Sequence, residues 1–360
     1  MVRQSPPGAK RGWRHRPHPQ VVAVTGAAHG LGRALVERLA ARDDLAGLIG
    51  VDSTPAGVDG VVSRPVDVRD PLLVTRLLGA TTVVHLATSY DVTLPAATRR
   101  ALNVRGTAHV LEAAREVGAA RVVLCTSADV YGTRPDNPVP LPDDAPLAGE
   151  AEEVSLTGDH LEVERLAADA ERSGLAVTVL RPATLVGLGP AYDGQLLRQL
   201  SAPRLLAVRG IEPLWQLCHL DDLVEALELA ALGVVTGRLG VACDGALPQV
   251  VVEQLTGRRR LELPAAVAFS TAERLHKAGL TSSSPRELDH LLGPLVLGCD
   301  GLLGAGWRPA WTNEDALLVH LSARGSDSPR GSAMTAAGAT VALLGTAALV
   351  RQARRRRHGR

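Results

Sequence analysis

Three glycines and one aspartate carry the clearest chemistry in this chain of 360 residues. Gly26, Gly30 and Gly32 follow the apolar run 21–25 with the spacing G-x-x-x-G-x-G and lead into an amphipathic pattern. Glycines allow a tight turn and a close phosphate approach, and the start of a helix favours an anion. Asp52 ends the next apolar run, where its carboxylate would accept both ribose hydroxyls and repel a 2′-phosphate. The spacing predicts NAD, rather than NADP, as a bound dinucleotide; the alternative is a glycine-rich turn with an unrelated acid.

The elements that must position these residues alternate between strands and helices. Apolar runs predict strands at 21–25, 47–52, 64–68, 82–87, 121–125 and 176–181. Amphipathic patterns predict helices at 30–41, 71–78, 96–117 and 156–173. Strands that are apolar at every position are buried on both faces, as in a parallel sheet covered by helices. The fold class is therefore α/β, a Rossmann-type doubly wound parallel sheet.

After residue 182 the pattern breaks into shorter pieces separated by proline and glycine. Helical patterns at 221–232, 264–279 and 313–323 and a short strand near 238–242 predict a smaller C-terminal cap. We expect an NAD-binding Rossmann domain over 21–182 and a substrate or cap region over 183–321. Whether the chain crosses back to the sheet within the second region stays open.

Five further segments resemble motifs of the extended short-chain dehydrogenase/reductase superfamily, in its NAD-dependent epimerase/dehydratase family, which includes UDP-glucose 4-epimerase. The resembling segments are V-D-V-R-D at 66–70, V-V-H-L-A at 83–87, N-V-R-G-T at 103–107, T-S-A-D-V-Y-G at 126–132 and L-R-P-A at 180–183. The likeness covers about residues 20–320. One departure is His29, which stands where extended members usually have the middle glycine of T-G-x-x-G-x-x-G.

The resemblance implies a set of cofactor contacts and a class of ligand. The cofactor-binding residues that it implies are Gly26, Gly30, Gly32, Asp52, Asp67, Val68, Leu86, Ala87 and Asn103. It also implies a small-molecule substrate, such as a nucleotide sugar, beneath the cap. His219 and Asp222 in H-L-D-D-L-V resemble a segment that orders the junction between sheet and cap, and substrate contact is the alternative role.

The family's Y-x-x-x-K pair is missing from the helix that should carry it. The tyrosine exchanges a proton with substrate, and the lysine, on the same helical face, lowers the tyrosine's pKa and binds the nicotinamide ribose. Similarity of L-E-V-E-R-L at 161–166 to the family's continuation of this helix places Leu156 at the tyrosine position and His160 at the lysine position. Leucine cannot carry a proton, so an active enzyme needs a replacement acid or base.

Four residues are candidates for the remaining catalytic chemistry. Ser127 stands at the position of the family's catalytic serine or threonine, with a structural cap at a strand end as the equal alternative. Tyr90 follows the fourth strand, Tyr131 lies in the V-Y-G turn, and His160 carries an imidazole that titrates near neutrality. A structural role is the alternative for each of these three residues.

The charge distribution and the cysteines exclude several function classes. Residues 1–20 and 351–360 carry five and six basic residues and no acid, so the remainder has a net charge of −10. An acidic body argues against nucleic acid as a partner. The four cysteines lie far apart without C-x-x-C spacing, so we predict neither a disulfide framework nor a metal site.

The two ends of the chain are predicted to lie outside the globular part. Residues 1–20 are basic, rich in proline and without the apolar centre of a secretory signal, which predicts a disordered segment and a cytoplasmic protein. A polar linker over 322–332 precedes an uncharged run at 331–350, which predicts an apolar C-terminal tail helix over 333–351 before a basic tail at 352–360. The tail helix could associate with or span the cytoplasmic membrane, dock on a protein surface or hang free. Charge-based orientation and a cytoplasmic body conflict for a simple single span.

Two functions follow from these observations. One is an NAD-binding protein similar to epimerases and dehydratases, which acts on or binds a nucleotide sugar or related ligand with altered acid–base residues. The other is a non-catalytic, NAD-dependent sensor or scaffold associated with the membrane. The sequence leaves the substrate and the oligomeric state open, a homodimer included.

Overall fold

A parallel sheet of seven strands forms the centre of the computed structural model, which describes residues 20–91, 94–148, 155–189, 192–193, 195–278 and 285–326. The strand order is β11-β6-β5-β4-β1-β2-β3. Its strands are β1 (Val21–Thr25), β2 (Gly47–Val51), β3 (Val62–Ser63), β4 (Thr82–His85), β5 (Arg121–Cys125), β6 (Ala176–Pro182) and β11 (Arg238–Val241). The order reverses between β1 and β4, and such a reversal opens a crevice at the carboxyl ends of the strands. The predicted Rossmann-type fold class is confirmed.

Helices cover both faces of this sheet. Between its strands along the chain lie α1 (Gly30–Ala40), α2 (Leu73–Leu77), α3 (Ala96–Arg100), α4 (Thr107–Glu116), α5 (Leu156–Arg172), α6 (Gln195–Arg198) and α7 (Leu220–Ala231), of which α6 packs in the cap. A π-helical turn, Ala101–Gly106, joins α3 to α4. Successive strand residues point to opposite faces, so Val22 and Val24 enter one apolar cluster with helices α1 and α7, while Ala23 enters the other with α2, α4 and α5.

The cap consists of short strands and helices after β6. Its strands are β7 (Thr184–Val186), β8 (Arg204–Val208), β9 (Leu214–Trp215), β10 (Leu217–His219), β12 (Leu247–Pro248) and β13 (Arg259–Leu263). Its helices beyond α7 are α8 (Gln249–Thr256), α9 (Ala265–Lys277), α10 (Asp300–Gly304) and α11 (Asn313–Ser326). The strands form three two-stranded sheets, β10-β7, β12-β9 and β13-β8, and the cap has two apolar clusters of its own.

The segment 238–242 is not a strand of the cap. It forms β11, which pairs in parallel with β6 at the edge of the main sheet, with Leu239 opposite Leu180. Helix α7 also packs beside α1 against the main sheet. The chain therefore leaves the main sheet after β6 and returns to it at β11, so the region 183–321 contributes to the main sheet as well as to the cap.

The third strand lies two residues earlier than predicted, at 62–63 instead of 64–68. The backbone does continue along β2, because the N–H of Arg64 donates to Gly50 O at 2.8 Å and that of Val66 to Asp52 O at 2.7 Å. Only Val62 and Ser63 pair with β2 as a regular ladder, and Pro65 lies at a position whose missing N–H would face away from β2. The extended segment still carries the chain to Asp67.

The junction between sheet and cap is fixed by His219 and Asp222. His219 caps α7 by accepting the N–H of Asp221, and its ring stacks on Trp311 at 3.8 Å between centroids. The carboxylate of Asp222 accepts the N–H groups of Ala310 at 2.8 Å and Trp311 at 3.3 Å. These contacts give both residues a structural role, in agreement with the junction role that the sequence favoured.

Candidate functional site

The glycine turn between β1 and α1 lies against the end of β4. Gly26 has a φ of +74°, and a Cβ there would lie 2.7 Å from backbone atoms of Leu86 and Ala87. A Cβ on Gly32 would overlap the carbonyl oxygen of Gly26. No side chain fits at either position, so the turn is tight and the start of α1 is held close to the crevice. This cradle fits the pyrophosphate of a dinucleotide.

Gly30 is the first residue of α1 and has a φ of +51°. A Cβ at this position would overlap the hydroxyl oxygen of Tyr192, which reaches over the turn from the segment after β7. The first helical turn contains no acidic residue, so its N–H groups present an uncompensated positive potential. Tyr192 belongs to no motif, and sequence analysis did not single it out.

The carboxylate of Asp52 stands beside this turn, directly after β2. Its Oδ2 accepts the N–H of Ala28 at 3.1 Å, and its Oδ1 accepts the hydroxyl of Ser53 at 3.2 Å. The half-buried side chain is therefore oriented by the glycine turn itself. A carboxylate fixed in this position suits the ribose contact that the sequence predicts.

Asp67 and Val68 lie at the far end of the crevice, after β3. Asp67 accepts both the backbone N–H of Arg69 at 2.8 Å and its Nε at 2.9 Å, and the hydrogen bond to the Arg69 side chain lowers the pKa of Asp67 to about 2. Val68 is buried against Gly106, and its carbonyl oxygen lies 2.6 Å from Nδ1 of His109. The segment is thus rigid, and an adenine contact by Asp67 stays a prediction.

A chain of buried hydrogen bonds fixes the end of β4. The hydroxyl of Thr25 lies 2.7 Å from Nδ1 of His85, and Nε2 of His85 lies 3.1 Å from the hydroxyl of Thr107. Burial lowers the pKa of His85 to about 4, so this imidazole is neutral. The N–H groups of Leu86 and Ala87 point at the same Thr25 oxygen, at 3.2 and 3.3 Å. These hydrogen bonds of His85, Leu86 and Ala87 therefore fix the end of β4 on which Gly26 packs.

Asn103 lies in the π-helical turn, and its amide binds other protein groups. Oδ1 accepts the N–H of Ser89 at 2.8 Å, and Nδ2 donates to the carbonyl oxygen of Ser89 at 2.9 Å. Nδ2 also lies 3.4 Å from the carboxylate of Asp159. These bonds tie the segment after β4 to α5, and direct contact of Asn103 with a cofactor stays a prediction.

Ser127, Leu156 and His160 line one cavity at the carboxyl ends of β5 and β6. Leu156 and His160 are four residues apart and share a face of α5, so both side chains are directed to the same cavity. Ser127 caps the short helix Ala128–Tyr131 by accepting the N–H of Asp129 at 3.2 Å. Its side chain also forms a hydrogen bond with the carboxyl of Asp129, so a ligand that takes the hydroxyl proton of Ser127 would compete with this bond.

His160 is nearly buried at the base of this cavity, with 4% of its surface exposed. Burial, assisted by the charge of Arg99, lowers its pKa to about 4, so the imidazole is neutral. Its Nδ1 has no hydrogen-bond partner among the described residues. A buried polar atom without a partner is costly, and a bound ligand would satisfy it.

Two tyrosines that the sequence offered as replacement bases are bonded to the protein. The hydroxyl of Tyr90 donates to the carbonyl oxygen of Thr126 at 3.3 Å, and burial raises its pKa well above the ordinary value. Tyr131 donates to the carbonyl oxygen of Asp143 at 2.9 Å and accepts from Arg181 at 2.8 Å. Tyr90 is among the residues that line the cavity, whereas Tyr131 is not. Neither hydroxyl is free to exchange a proton with a ligand in this arrangement.

Two buried ion pairs hold the strand ends and α5 together. Arg181 of β6 donates to both carboxylate oxygens of Glu164 at 2.8 Å, and the hydroxyl of Thr126 donates to the same carboxylate at 2.9 Å. Arg99 binds the fully buried Asp159 at 2.9 Å, one residue before His160. The pairs fix Ser127 and His160 relative to each other.

Sequence analysis missed three polar side chains that line the cavity, Asp129 after β5 and Arg198 and His290 from the cap. Asp129 lines the cavity, and burial raises the pKa of its carboxyl despite the hydrogen bond from Ser127 and the charge of Arg198. Arg198 and His290 line it from the cap, and Nε of Arg198 donates to the carbonyl oxygen of Asp193 at 2.9 Å. Asp129 could have been found from the sequence, because it lies within the segment 126–132 that resembles a family motif.

The described residues hold neither a metal-ion site nor a membrane-spanning helix. In the described parts of the chain, no group of three or more histidine, cysteine or acidic side chains could hold a metal ion. The four cysteines are buried and unpaired. No helix in these parts is long and apolar enough to cross a bilayer. The predicted tail helix 333–351, the basic ends 1–19 and 352–360 and most of the linker 322–332 lie outside the described residues.

Comparison with sequence families and known proteins gives consistent matches. The model of the NAD dependent epimerase/dehydratase family matches residues 22–239. An uncharacterized protein of Mycobacterium tuberculosis is 28% identical over 325 residues, which cover 86% of each chain. A 3-diazoavenalumate denitrifying reductase of a Streptomyces species is 32% identical over 239 residues, which cover 63% of this chain and 77% of the reductase.

Solved structures with the same fold cover most of the chain. The UDP-glucose 4-epimerase of Thermus thermophilus, in complex with NAD, matches with a TM-score of 0.60 at 21% identity, over 86% of this chain and 100% of the epimerase. MoeE5 in complex with UDP-glucuronic acid and NAD matches with a TM-score of 0.61 at 23% identity, over 85% of this chain and 99% of MoeE5. At such identities the likeness establishes the fold alone.

Proposed function

Because the chain belongs to the NAD-dependent epimerase/dehydratase family, we propose that it is an NAD-dependent enzyme acting on a nucleotide sugar or a related ligand with an altered set of acid–base groups. Membership confirms the predicted family and NAD as the predicted cofactor. The observation that carries the proposal is one shared cavity, which Ser127, Leu156, His160, Asp129 and Arg198 line together.

The glycine turn and Asp52 are the groups proposed to hold the cofactor. The tight packing of Gly26 and Gly32 leaves no side chain between the start of α1 and a pyrophosphate. The carboxylate of Asp52, oriented by Ala28, would accept the hydroxyls of the adenosine ribose. When bound, NAD supplies the ability to accept and return a hydride at its nicotinamide ring.

His160 is proposed to bind the nicotinamide ribose in place of the family's lysine. Its neutral imidazole lines the cavity, and Nδ1 lacks a partner among the described residues. A neutral ring can donate to or accept from a hydroxyl, but it brings no positive charge to lower the pKa of a neighbouring phenol. The two replacements, His160 for the lysine and Leu156 for the tyrosine, are therefore consistent with each other. Where no phenol is present, no ammonium group is needed to lower the pKa of a phenol.

Asp129 is the side chain best placed to take over proton transfer. Burial favours its neutral form, so its carboxyl holds a proton closer to neutral pH than an exposed aspartate does. Asp129 lines the cavity, and its carboxyl forms a side-chain hydrogen bond with Ser127, whose hydroxyl could relay or share that proton. Arg198 adds a positive charge nearby, which suits the diphosphate of a nucleotide sugar.

A turnover assay with purified protein tests this proposal. NAD would be combined with UDP-glucose, UDP-glucuronic acid or dTDP-glucose, the sugars held by or named for structurally similar proteins, and product would be followed by chromatography. We expect turnover to fall at least a hundredfold in Asp129→Asn and about tenfold in Ser127→Ala, while Tyr131→Phe keeps it. Equal rates in Asp129→Asn and the wild type would remove Asp129 from the mechanism.

A parallel assay would combine the protein with an arenediazonium ion and NADH, which supplies the hydride. Reduction of the diazonium ion to the arene and N₂ consumes one hydride and no proton, and Leu156 offers no proton at the centre of the site. The 32% identity to a diazo-compound reductase favours including this class. Consumption of NADH with equal rates in the wild type and Asp129→Asn would assign the site to reduction without proton transfer.

The alternative is a non-catalytic, NAD-dependent sensor or scaffold attached to the membrane by the tail 333–351. Leu156, the neutral His160 and the bonded hydroxyl of Tyr90 support it, because each removes a proton carrier from the cavity. A sensor would bind NAD without turnover of any nucleotide sugar. Fractionation of the full chain beside one ending at Arg330 would test the membrane attachment, which predicts that only the full chain sediments with membranes.

A further inference from the structure

We propose that Tyr192 is a pyrophosphate-binding residue, whose phenol hydroxyl donates a hydrogen bond to the dinucleotide from the side opposite the glycine turn. The inference rests on the proposed function, because it places a further contact on the cofactor that the turn would hold. It concerns a residue outside every motif of the sequence, in a short described piece at 192–193.

The position of the hydroxyl is the first argument. Gly30 has no Cβ, and the hydroxyl oxygen of Tyr192 fills the space that a Cβ there would need, above the start of α1. A phosphate needs the same space in order to reach the N–H groups of the helix. A phosphate that enters must therefore displace the ring of Tyr192 outward, and the displaced hydroxyl would then lie against a phosphate oxygen.

The second argument is that this hydroxyl makes no hydrogen bond with any described residue, although the ring is half-buried. The hydroxyl groups of Tyr90 and Tyr131, by contrast, both donate to backbone carbonyl oxygens. A phenol that is partly removed from water usually finds a partner. A phosphate oxygen is a strong acceptor and would supply that partner.

Packing of the ring is the third argument. The ring of Tyr192 lies 6.0 Å from that of Tyr90, and the ring of Tyr90 lies 5.6 Å from that of His160. The three rings form one wall that runs from the cavity at α5 to the glycine turn. Tyr90 is fixed by its bond to Thr126, so it limits how far Tyr192 can move toward the cavity.

The cations near the turn give the fourth argument. Arg33 of α1 donates to the carbonyl oxygen of Ala56 and to the carboxylate of Glu37, so its guanidinium is directed away from the crevice. The first turn of α1 therefore meets a pyrophosphate mainly with backbone N–H groups. The removal of one neutral hydrogen-bond donor on the opposite side should therefore lower the affinity for the pyrophosphate measurably.

Calorimetric titration of Tyr192→Phe with ADP and with adenosine tests the proposal. A hydrogen bond from a neutral donor to a charged acceptor predicts an affinity for ADP about tenfold weaker than in the wild type. Adenosine has the same base and ribose but no phosphate, so its affinity should be unchanged. Tyr131→Phe, which removes a hydroxyl outside the cavity, should match the wild type with both probes.

Fluorine NMR supplies a readout that does not depend on affinity. The chain has three tyrosines, so labelling with 3-fluorotyrosine gives three resonances, and the one absent from Tyr192→Phe belongs to Tyr192. We expect saturating ADP to shift this resonance and adenosine to leave it in place. A shift with both probes would mean that the ring responds to the nucleoside rather than to the phosphates.

The outcomes separate the two proposals. A wild type that binds neither ADP nor NAD contradicts the proposed function itself. A wild type that binds both, with Tyr192→Phe equal to it, contradicts only the role of Tyr192. Tighter binding of ADP by Tyr192→Ala than by the wild type would also overturn the proposal, because the side chain would then compete with the phosphates instead of binding them.

Discussion

Replacing Gly26 by alanine separates the steric demand of the glycine turn from its backbone conformation. Gly26 has a φ of +74°, and Gly118, in an exposed turn after α4, has a φ of +73°. A Cβ on Gly26 would lie 2.7 Å from three backbone atoms of Leu86 and Ala87, whereas a Cβ on Gly118 meets nothing within 4 Å. The two substitutions thus share one conformational cost and differ in the contact alone.

The expected loss of stability has a conformational part, which both variants share, and a steric part, which only Gly26→Ala has. An alanine in the left-handed region costs about 1–2 kcal/mol, which a reduced entropy of the unfolded chain partly offsets, so Gly118→Ala should lower the free energy of unfolding by about 1 kcal/mol. Gly26→Ala adds an overlap with backbone that cannot rotate away. Overpacking of this kind costs a further ~1–3 kcal/mol, which gives a total of about 3 kcal/mol.

Urea unfolding of the two variants, followed by circular dichroism, measures this difference, and calorimetry measures NAD binding at a temperature where both are folded. We expect Gly26→Ala to bind NAD at least tenfold more weakly and Gly118→Ala to bind it as the wild type does. Equal losses of stability in the two variants would refute the close contact between the glycine turn and β4. Undiminished NAD affinity in a folded Gly26→Ala would refute the role of the turn.

Three further substitutions test other parts of the site. Asp52→Arg should weaken NAD binding at least tenfold and raise the relative affinity for NADP, since a guanidinium accommodates the 2′-phosphate; an unchanged preference in calorimetry would remove Asp52 from the ribose site. Burial lowers the pKa of His160 from 6.5 in the unfolded chain to about 4 in the folded protein. As the pH falls, the unfolded chain therefore takes up this proton before the folded protein does. The contribution of the neutral imidazole to the free energy of unfolding is complete above pH 6.5 and is lost as the pH falls toward 4. His160→Leu should therefore reduce the stability difference between pH 7 and pH 5 by about 2 kcal/mol in urea unfolding, and an unchanged difference would mean that the imidazole is not buried as a neutral group. Glu164→Gln leaves Arg181 buried without its counter-charge and should cost about 3–5 kcal/mol, whereas the partly exposed Glu171→Gln should cost under ~1 kcal/mol; similar losses in both variants would contradict the buried pair.

The strands and helices of the sheet could be predicted because their sequences are locally consistent. The apolar runs of β1 and β5 and the amphipathic pattern of α5 each specify one element, and the predicted helix 156–173 is observed as Leu156–Arg172. The bounds of the third strand were predicted less accurately. Only Val62 and Ser63 pair with β2 as a regular ladder, although the extended chain continues beside β2 to Asp67.

The return of the chain to the sheet could not be read from the local pattern. A strand at 238–242 pairs with β6 only after α7 has crossed the sheet, and that pairing depends on contacts between residues far apart in sequence. The same holds for Asp129, Arg198 and Tyr192, which meet at the cavity from separate segments. Only Asp129 lay within a recognisable motif.

The hydroxyl partners of the candidate bases also depend on tertiary structure. Sequence analysis placed Tyr90 and Tyr131 near the site, but the bonds of their hydroxyl groups to Thr126 and Asp143 come from the packing of loops against strand ends. The pairing of Leu156 with His160 on one face of α5 was predictable, because helical periodicity alone determines it. The sequence could therefore locate the site but not the bonding of its polar groups.

Calorimetric titration of the purified wild-type chain with oxidised and reduced NAD tests the central claim most directly. The glycine turn, Asp52 and the crevice beside β4 predict binding of one dinucleotide per chain, with weaker binding of NADP. The absence of heat with both forms of NAD, from protein whose circular dichroism shows it to be folded, would contradict this account.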